Sequence, residues 1–402
     1  MSVSYILGGF ATFAKLRSSQ DDDWVDRMNH VYTVALLALF AVFVSGGQFF
    51  GNPIECWCPA HFTPSMVAFT KSICWVNGTY FIPMQEGIPS EHELREREQL
   101  PYYQWVPVML LFMAFLFKFP AVIWRLLSTN SGISLEKIIN IVTEQQMSSP
   151  EKREEITKHI AQYIDRWLEV NRQYHWNCFV RMRQRLSKCC CILFQKRAGT
   201  YLTGLYILVK LLYVANVISQ FFLLDAFLGG WYSMYGFETL ASLSAEHQWE
   251  ESRRFPKVTL CDFDIRQLNN VQRQTVQCVL PYNLFNEKIF IFLWFWFLLV
   301  ATVTFYNLLV WLWLALMQNN RGRFVKKHLK EVDALHGEVD KKLAKRFADQ
   351  YLRDDGIFVL RLIVKNSSEI LFSDVMRLLW LIYKNKHNNI QDESMLLTRM
   401  KK

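Results

Sequence analysis

The sequence predicts a mainly α-helical integral membrane protein with four transmembrane helices per subunit, and three observations predict it. Of 402 residues, 51% are apolar and 15% aromatic against only 20% charged, an unusual balance for a soluble chain. The apolar residues gather into four runs, each long enough to cross a hydrocarbon layer of about 30 Å. Lys and Arg are concentrated in alternate segments between those runs, as the positive-inside rule requires of cytosolic loops.

The N-terminal segment, 1–30, carries Val3, Ile6, Leu7, Phe10, Phe13 and Leu16 at a spacing that puts one apolar stripe on a short helix. A secretory signal has basic residues before its apolar run; here Lys15 and Arg17 follow it, then Asp21, Asp22 and Asp23. The segment is therefore expected to stay in the mature chain, on the cytoplasmic side.

Residues 31–50 form the first span, uncharged from Val31 to Phe50. The second, 102–127, opens with Tyr102-Tyr103-Gln104-Trp105-Val106-Pro107, an aromatic belt of amphipathic rings at the membrane interface. It contains Pro120, where a missing N–H and a ring clash predict a kink. The third, 201–224, holds Lys210, Asn216 and Gln220. The fourth, 289–316, has 28 residues without a charge and can span with tilt.

Four spans place both termini on one side. Segment 128–200 has 12 Lys/Arg against 7 acids, and the tail 317–402 has 18 against 11, whereas the outer segments 51–101 and 225–288 lean acidic. Termini and middle loop are therefore read as cytoplasmic. Cysteines follow the same division: Cys56, Cys58, Cys74, Cys261 and Cys278 fall outside, where oxidation can cross-link them. Spacings of 18 and 17 residues and the lack of a C-x-x-C argue against zinc, so no metal is expected. Asn77-Gly78-Thr79 is an N-glycosylation acceptor on the outer side.

The inner segments have the marks of folded helices. Ser149-Pro150 followed by Glu151, Glu154 and Glu155 is a helix start, and Ile156, Ile160, Tyr163, Trp167 and Val170 give one apolar face. The tail repeats this with Val339, Leu343, Phe347 and Tyr351, and breaks at Asp354-Asp355-Gly356. Cys189-Cys190-Cys191 are read as either palmitoylation sites or buried thiols.

No motif for nucleotide binding, metal-assisted hydrolysis or nucleophilic catalysis occurs, so neither an enzyme nor a cofactor is expected. Nucleic acid is excluded because the aromatics sit in spans or on helix faces rather than on a basic surface. The net charge of +9 suits membrane topology and anionic lipid. Lys210 lies mid-span, where an unpaired ammonium costs about 2.5–3.5 kcal/mol. Thr203, Tyr206, Lys210, Tyr213, Val217 and Gln220 share a helical face with Asn216 beside it, and that face looks at protein or water rather than lipid. Both a polar seam between helices and a water-filled conduit fit.

Several stretches carry a family resemblance from about Trp24 to Trp380. They are Asn52-Pro53-Ile54-Glu55-Cys56-Trp57, Cys74-Trp75, the Tyr102 to Pro107 motif, Cys261-Asp262-Phe263, Cys278-Val279-Leu280-Pro281, and Asn283-Leu284-Phe285-Asn286-Glu287-Lys288 before the fourth span. The chain resembles the innexins, the invertebrate gap-junction family related to pannexins. The resemblance implies a ring-shaped homo-oligomer, eight subunits being expected, that passes ions and small metabolites through a large pore. It implies disulfide-linked extracellular loops with minor β structure, paired Cys56–Cys278 and Cys74–Cys261, and a helical cytoplasmic domain. The N-terminal segment, first span and start of the first outer loop would line the pore, implicating Val3, Ile6, Phe10, Gln48, Glu55, His61 and Phe62.

The implied location is the plasma membrane at cell junctions, with docking to a second hemichannel on an adjacent cell. A second reading is a non-conducting adhesion or scaffold protein, or a modulatory subunit in hetero-oligomers with other innexins. Two departures from the family pattern stand out. Cys58 is an extra thiol, and Asn77-Gly78-Thr79-Tyr80 replaces the usual Gln-Asn-Thr-Tyr, creating the acceptor. A bulky hydrated glycan there would hinder docking and favour hemichannels.

Overall fold

The computed structural model describes residues 22–100, 102–144, 150–171, 199–230, 232–244, 254–335 and 337–400. Among the described residues four helices are long and apolar enough to cross a membrane: α1 (Trp24–Phe50), α4 (Val106–Ser128), α7 (Tyr201–Leu228) and α9 (Pro281–Leu316). Between α1 and α4 lie β1 (Glu55–Trp57), α2 (Pro64–Asn77), β2 (Thr79–Tyr80), α3 (His92–Arg97) and β3 (Gln99–Leu100). Then come α5 (Leu135–Glu144) and α6 (Pro150–Val170) before α7, and α8 (Tyr235–Ser244), β4 (Val258–Gln267) and β5 (Asn270–Val279) before α9. The tail forms α10 (Gln318–Glu331), α11 (Glu338–Arg346), α12 (Arg353–Asn366) and α13 (Glu369–Met400).

The described residues divide into two compact units. One draws on the described residues within 22–28, 119–213 and 304–400, the other on those within 29–118 and 214–303.

In the first unit the core is helical. Ile164, Trp167, Phe347, Phe358, Val375 and Leu379 are buried in one cluster that also takes in Trp124, Tyr206 and Trp311. On α6 the buried face is Ile160, Ala161, Ile164, Trp167 and Leu168, whereas Tyr163 and Val170 are exposed. The face is therefore rotated from the stripe drawn through Ile156, Tyr163 and Val170, because Ala161 and Leu168 pack where the sequence stripe omitted them. The tail breaks at Arg353, whose φ of 57° ends the helical run before Asp354. Its guanidinium donates to the carbonyls of Leu168 (3.4 Å) and Asn171 (2.9 Å), so the turn is held from α6.

In the second unit a five-stranded antiparallel sheet has the order β1-β5-β4-β2-β3. The β4–β5 hairpin pairs from Val258↔Val279 to Gln267↔Asn270, and Thr259, Cys261 and Phe263 alternate inward with Val276 and Cys278. That period-two burial is the signature of a strand with one packed face. The paired aromatics before α4 are not an interfacial belt: Tyr102 and Tyr103 are buried and only Trp105 is exposed. The Tyr102 hydroxyl donates to the Arg254 carbonyl at 2.6 Å and accepts from Asn283 at 3.2 Å. A ring with a polar tip fills a protein pocket as readily as a membrane interface when it finds such a partner.

Candidate functional site

The outer site is built on the sheet. The Thr63 side chain caps α2 and Pro64 sits at its first turn, which aims Cys74, fully buried, at β4. Cys74 is bonded to Cys261 on β4, and Cys56 on β1 to its direct cross-strand partner Cys278 on β5. The sulfurs of Cys56, Cys74 and Cys278 lie within 4.8 Å of one another, and all three are consumed in these two disulfides. Cys58 is the free thiol beside them, half-buried, with its sulfur 3.8 Å from the Cys56 carbonyl oxygen.

Behind the disulfides, Asp262 accepts from the Tyr80 hydroxyl at 2.9 Å and from Arg95 at 2.8 Å. Burial, helped by this carboxylate, pushes the Tyr80 phenol up to about 12. These residues line a cleft of about 370 Å³ that also includes Asn77, Gln99 and Arg273. Asn77 is the last residue of α2 and its side chain is exposed.

The candidate pore residues take distinct places. Gln48 donates to the Tyr103 carbonyl at 2.8 Å, which ties the end of α1 to the approach to α4. Glu55 is ion-paired with Lys71 of α2. His61 and Phe62 meet edge to face at 4.9 Å, with His61 exposed. Val3, Ile6 and Phe10 lie outside the described residues, as does Cys189-Cys190-Cys191.

The intramembrane polar residues separate into two groups. Asn216 and Gln220 bond to each other at 3.0 Å. Lys210 is fully buried in the other unit and reaches Asp26 at 2.7 Å and the Asn307 side-chain oxygen Oδ1 at 2.5 Å. Asp26 also accepts from the Tyr206 hydroxyl at 2.7 Å. Beside it Asp23, the N-cap of α1, accepts from Asn307 (3.1 Å), Trp311 (3.0 Å) and Lys365 of α12 (2.8 Å). Arg27 pairs with Asp22 at 3.1 Å and also donates to Asn366.

Asp22, Asp23 and Asp26 thus meet Arg27, Lys210 and Lys365, three charges of each sign. Burial raises the Asp23 carboxyl, but Lys210, Lys365 and the Trp311 N–H outweigh it and hold the group well below the usual range. The Lys210 face is a seam packed on protein, which removes the cost of an unpaired intramembrane ammonium. Pro120 is buried within α4, where it has no N–H to give the Leu116 carbonyl.

The innexin family profile matches residues 22–383. The chain belongs to the innexin family. Innexin unc-9 of Caenorhabditis elegans is 39% identical over 392 residues, covering 97% of this chain and all of that protein. Innexin-19 of Caenorhabditis briggsae is 33% identical over 91% of this chain and 87% of its own length, and innexin-3 of Caenorhabditis elegans 34% over 92% and 85%. This innexin is a channel subunit of the gap-junction and hemichannel class, a multi-pass protein of the plasma membrane at cell junctions.

Sequence reasoning missed the partners of its own site residues. Asp23 and Asp26 served only to argue against a signal or went unused, and Lys71 was not connected to Glu55. A signal for the first pair existed: a lone lysine inside a span requires an acid, and Asp23 and Asp26 lie at the start of α1.

Proposed function

We propose that this innexin forms a ring of eight identical subunits around a wide aqueous pore, with segments 51–101 and 225–288 outside and 1–30, 128–200 and 317–402 in the cytoplasm. The observation that carries the ring is apolar exposure on the outer side. Phe49 and Phe50 at the end of α1 and Trp57 on β1 are 82%, 88% and 81% exposed in the single chain. Burying one such side chain stabilises by about 1.5–3 kcal/mol, and a ring of neighbours covers all three at each repeat of the interface. Relatives 33% and 34% identical over about nine-tenths of this chain support mixed rings with other innexins.

The pore lining is assigned to Val3, Ile6 and Phe10, the first span, and Gln48, Glu55, His61 and Phe62. Transport is diffusion, with selectivity set by pore diameter and lining charge. Asn77 carries a glycan, whose bulk keeps outer surfaces apart and leaves the protein largely as hemichannels. Projection images of the purified oligomer test both parts. Single eight-fold rings with Asn77 occupied, and stacked rings after Asn77→Gln, are expected. Another subunit number contradicts the ring, and an unoccupied Asn77 on surface protein contradicts the glycan.

A further inference from the structure

Three spans pack together near their inner ends. Tyr201, the first residue of α7, donates to the Leu127 carbonyl at 2.9 Å, and the Tyr206 ring meets Trp124 at 5.2 Å and Trp311 at 4.8 Å. Five residues of helix, about 7.5 Å, separate Tyr206 from Tyr201 and Trp311 from Leu316. Leu126, Trp313 and Leu316 are 65%, 60% and 62% exposed, so apolar side chains continue outward to those ends. There Met317 takes an extended conformation and α10 begins at Gln318, its first turn held by Asn320 N–H to the Met317 carbonyl (2.9 Å).

On α10, Phe324, Val325 and Leu329 pack into the helical core. The opposite side exposes Arg323, Lys326, Lys327 and Lys330. Their offsets of 3, 1 and 3 residues make one stripe along about two turns. The exposed acid on this helix is Glu331, which lies 3.8 Å from Lys327 in a solvent-exposed pair of little strength. Arg321, by contrast, turns inward to Asp354 at 2.6 Å.

We propose that this stripe of α10 rests on the anionic lipid headgroups of the cytoplasmic leaflet. Four cations on the first helix past a span end are placed where the negative surface potential is felt, within a Debye length of the headgroups. One exposed helix face offers no enclosing pocket, so the recognition is of charge density rather than of headgroup shape. Because the other face of α10 belongs to the helical core, the lipid charge of the leaflet bears directly on the cytoplasmic helices. The inference needs the tail to be cytoplasmic but is independent of subunit number and of conduction.

The test uses the full chain in nanodiscs of phosphatidylcholine alone or with added phosphatidylserine. Amine acetylation is read by mass spectrometry at Lys326, Lys327 and Lys330, with exposed Lys152 and Lys158 of α6 as internal controls. Several-fold protection of the three lysines in anionic discs, reversed by high salt, is expected. In native mass spectrometry, R323Q/K326Q/K327Q/K330Q should retain less phosphatidylserine, by about five-fold per charge removed. Equal labelling in both discs overturns the proposal. So does protection in both, which would mark the stripe as a subunit contact.

Discussion

Lys210 Nζ lies 2.7 Å from Asp26 Oδ1, and neither side chain is more than 2% exposed. The two residues are 184 positions apart, so the pair joins the foot of α1 to the inner half of α7. Removing one partner of a buried pair costs about 3–5 kcal/mol because a charge is left without compensation, whereas removing both is far milder. Lys210→Met and Asp26→Asn should each lower the thermal stability of the detergent-solubilised oligomer strongly, and the double variant should recover much of the loss. Additive losses would mean that the two residues act separately.

Cys261→Ala leaves Cys74 of α2 as a buried free thiol and opens a link spanning 187 residues. Loss of a native disulfide costs about 2–5 kcal/mol. The variant should fail to reach the cell surface as assembled oligomer, measured by surface biotinylation. Normal surface assembly would show that Cys56–Cys278 suffices to hold the outer unit.

A Cβ on Gly47 would lie 2.3 Å from the Tyr282 ring, while one on Gly46 would meet nothing within 4 Å. Gly47→Ala should therefore destabilise by about 1–3 kcal/mol through overpacking. Gly46→Ala, in the same helix, should be neutral or mildly stabilising. Equal melting temperatures for the two variants would contradict the close approach of α9 to α1.

Glu55 and Lys71 neutralise each other near the proposed pore lining. Lys71→Gln should free the carboxylate and shift the reversal potential in asymmetric salt toward cation selectivity. An unchanged reversal potential would place Glu55 away from the permeation path.

Asp355 of α12 accepts from the Thr203 amide (3.0 Å) and hydroxyl (3.1 Å), and burial pushes its carboxyl up to about 6. A folded pKa above the unfolded value near 3.9 means that the folded state takes up the proton more readily. Stability from this group therefore rises as pH falls through about 6 and levels off below about 4. Asp355→Asn should flatten that dependence in thermal melts between pH 7 and 5. A wild-type protein that loses stability over this interval would contradict the assignment.

Composition and run length made the four spans legible, because a bilayer crossing needs many contiguous apolar residues regardless of partner. The same reasoning misplaced Tyr102 and Tyr103, whose buried positions depend on the Arg254 carbonyl and on Asn283, far along the chain. The hairpin of β4 and β5 was anticipated only as minor β, although Thr259, Cys261 and Phe263 alternate, since cysteine and threonine hardly mark an apolar face. Lys210 stood out as costly, but its partners, Asp26 in the first turn of α1 and Asn307 of α9, lie far along the chain, where no local pattern points to them. Local pattern marks which residues must be satisfied; tertiary packing decides by whom.

The central claim, that this chain alone builds a large-pore channel, is tested most directly by inserting the purified homomeric oligomer into a planar bilayer and recording current. Discrete openings of large unitary conductance that pass both small ions and organic ions of metabolite size are predicted. Intact, inserted oligomers that carry no current under any voltage or calcium condition would contradict it and favour a scaffold or modulatory subunit.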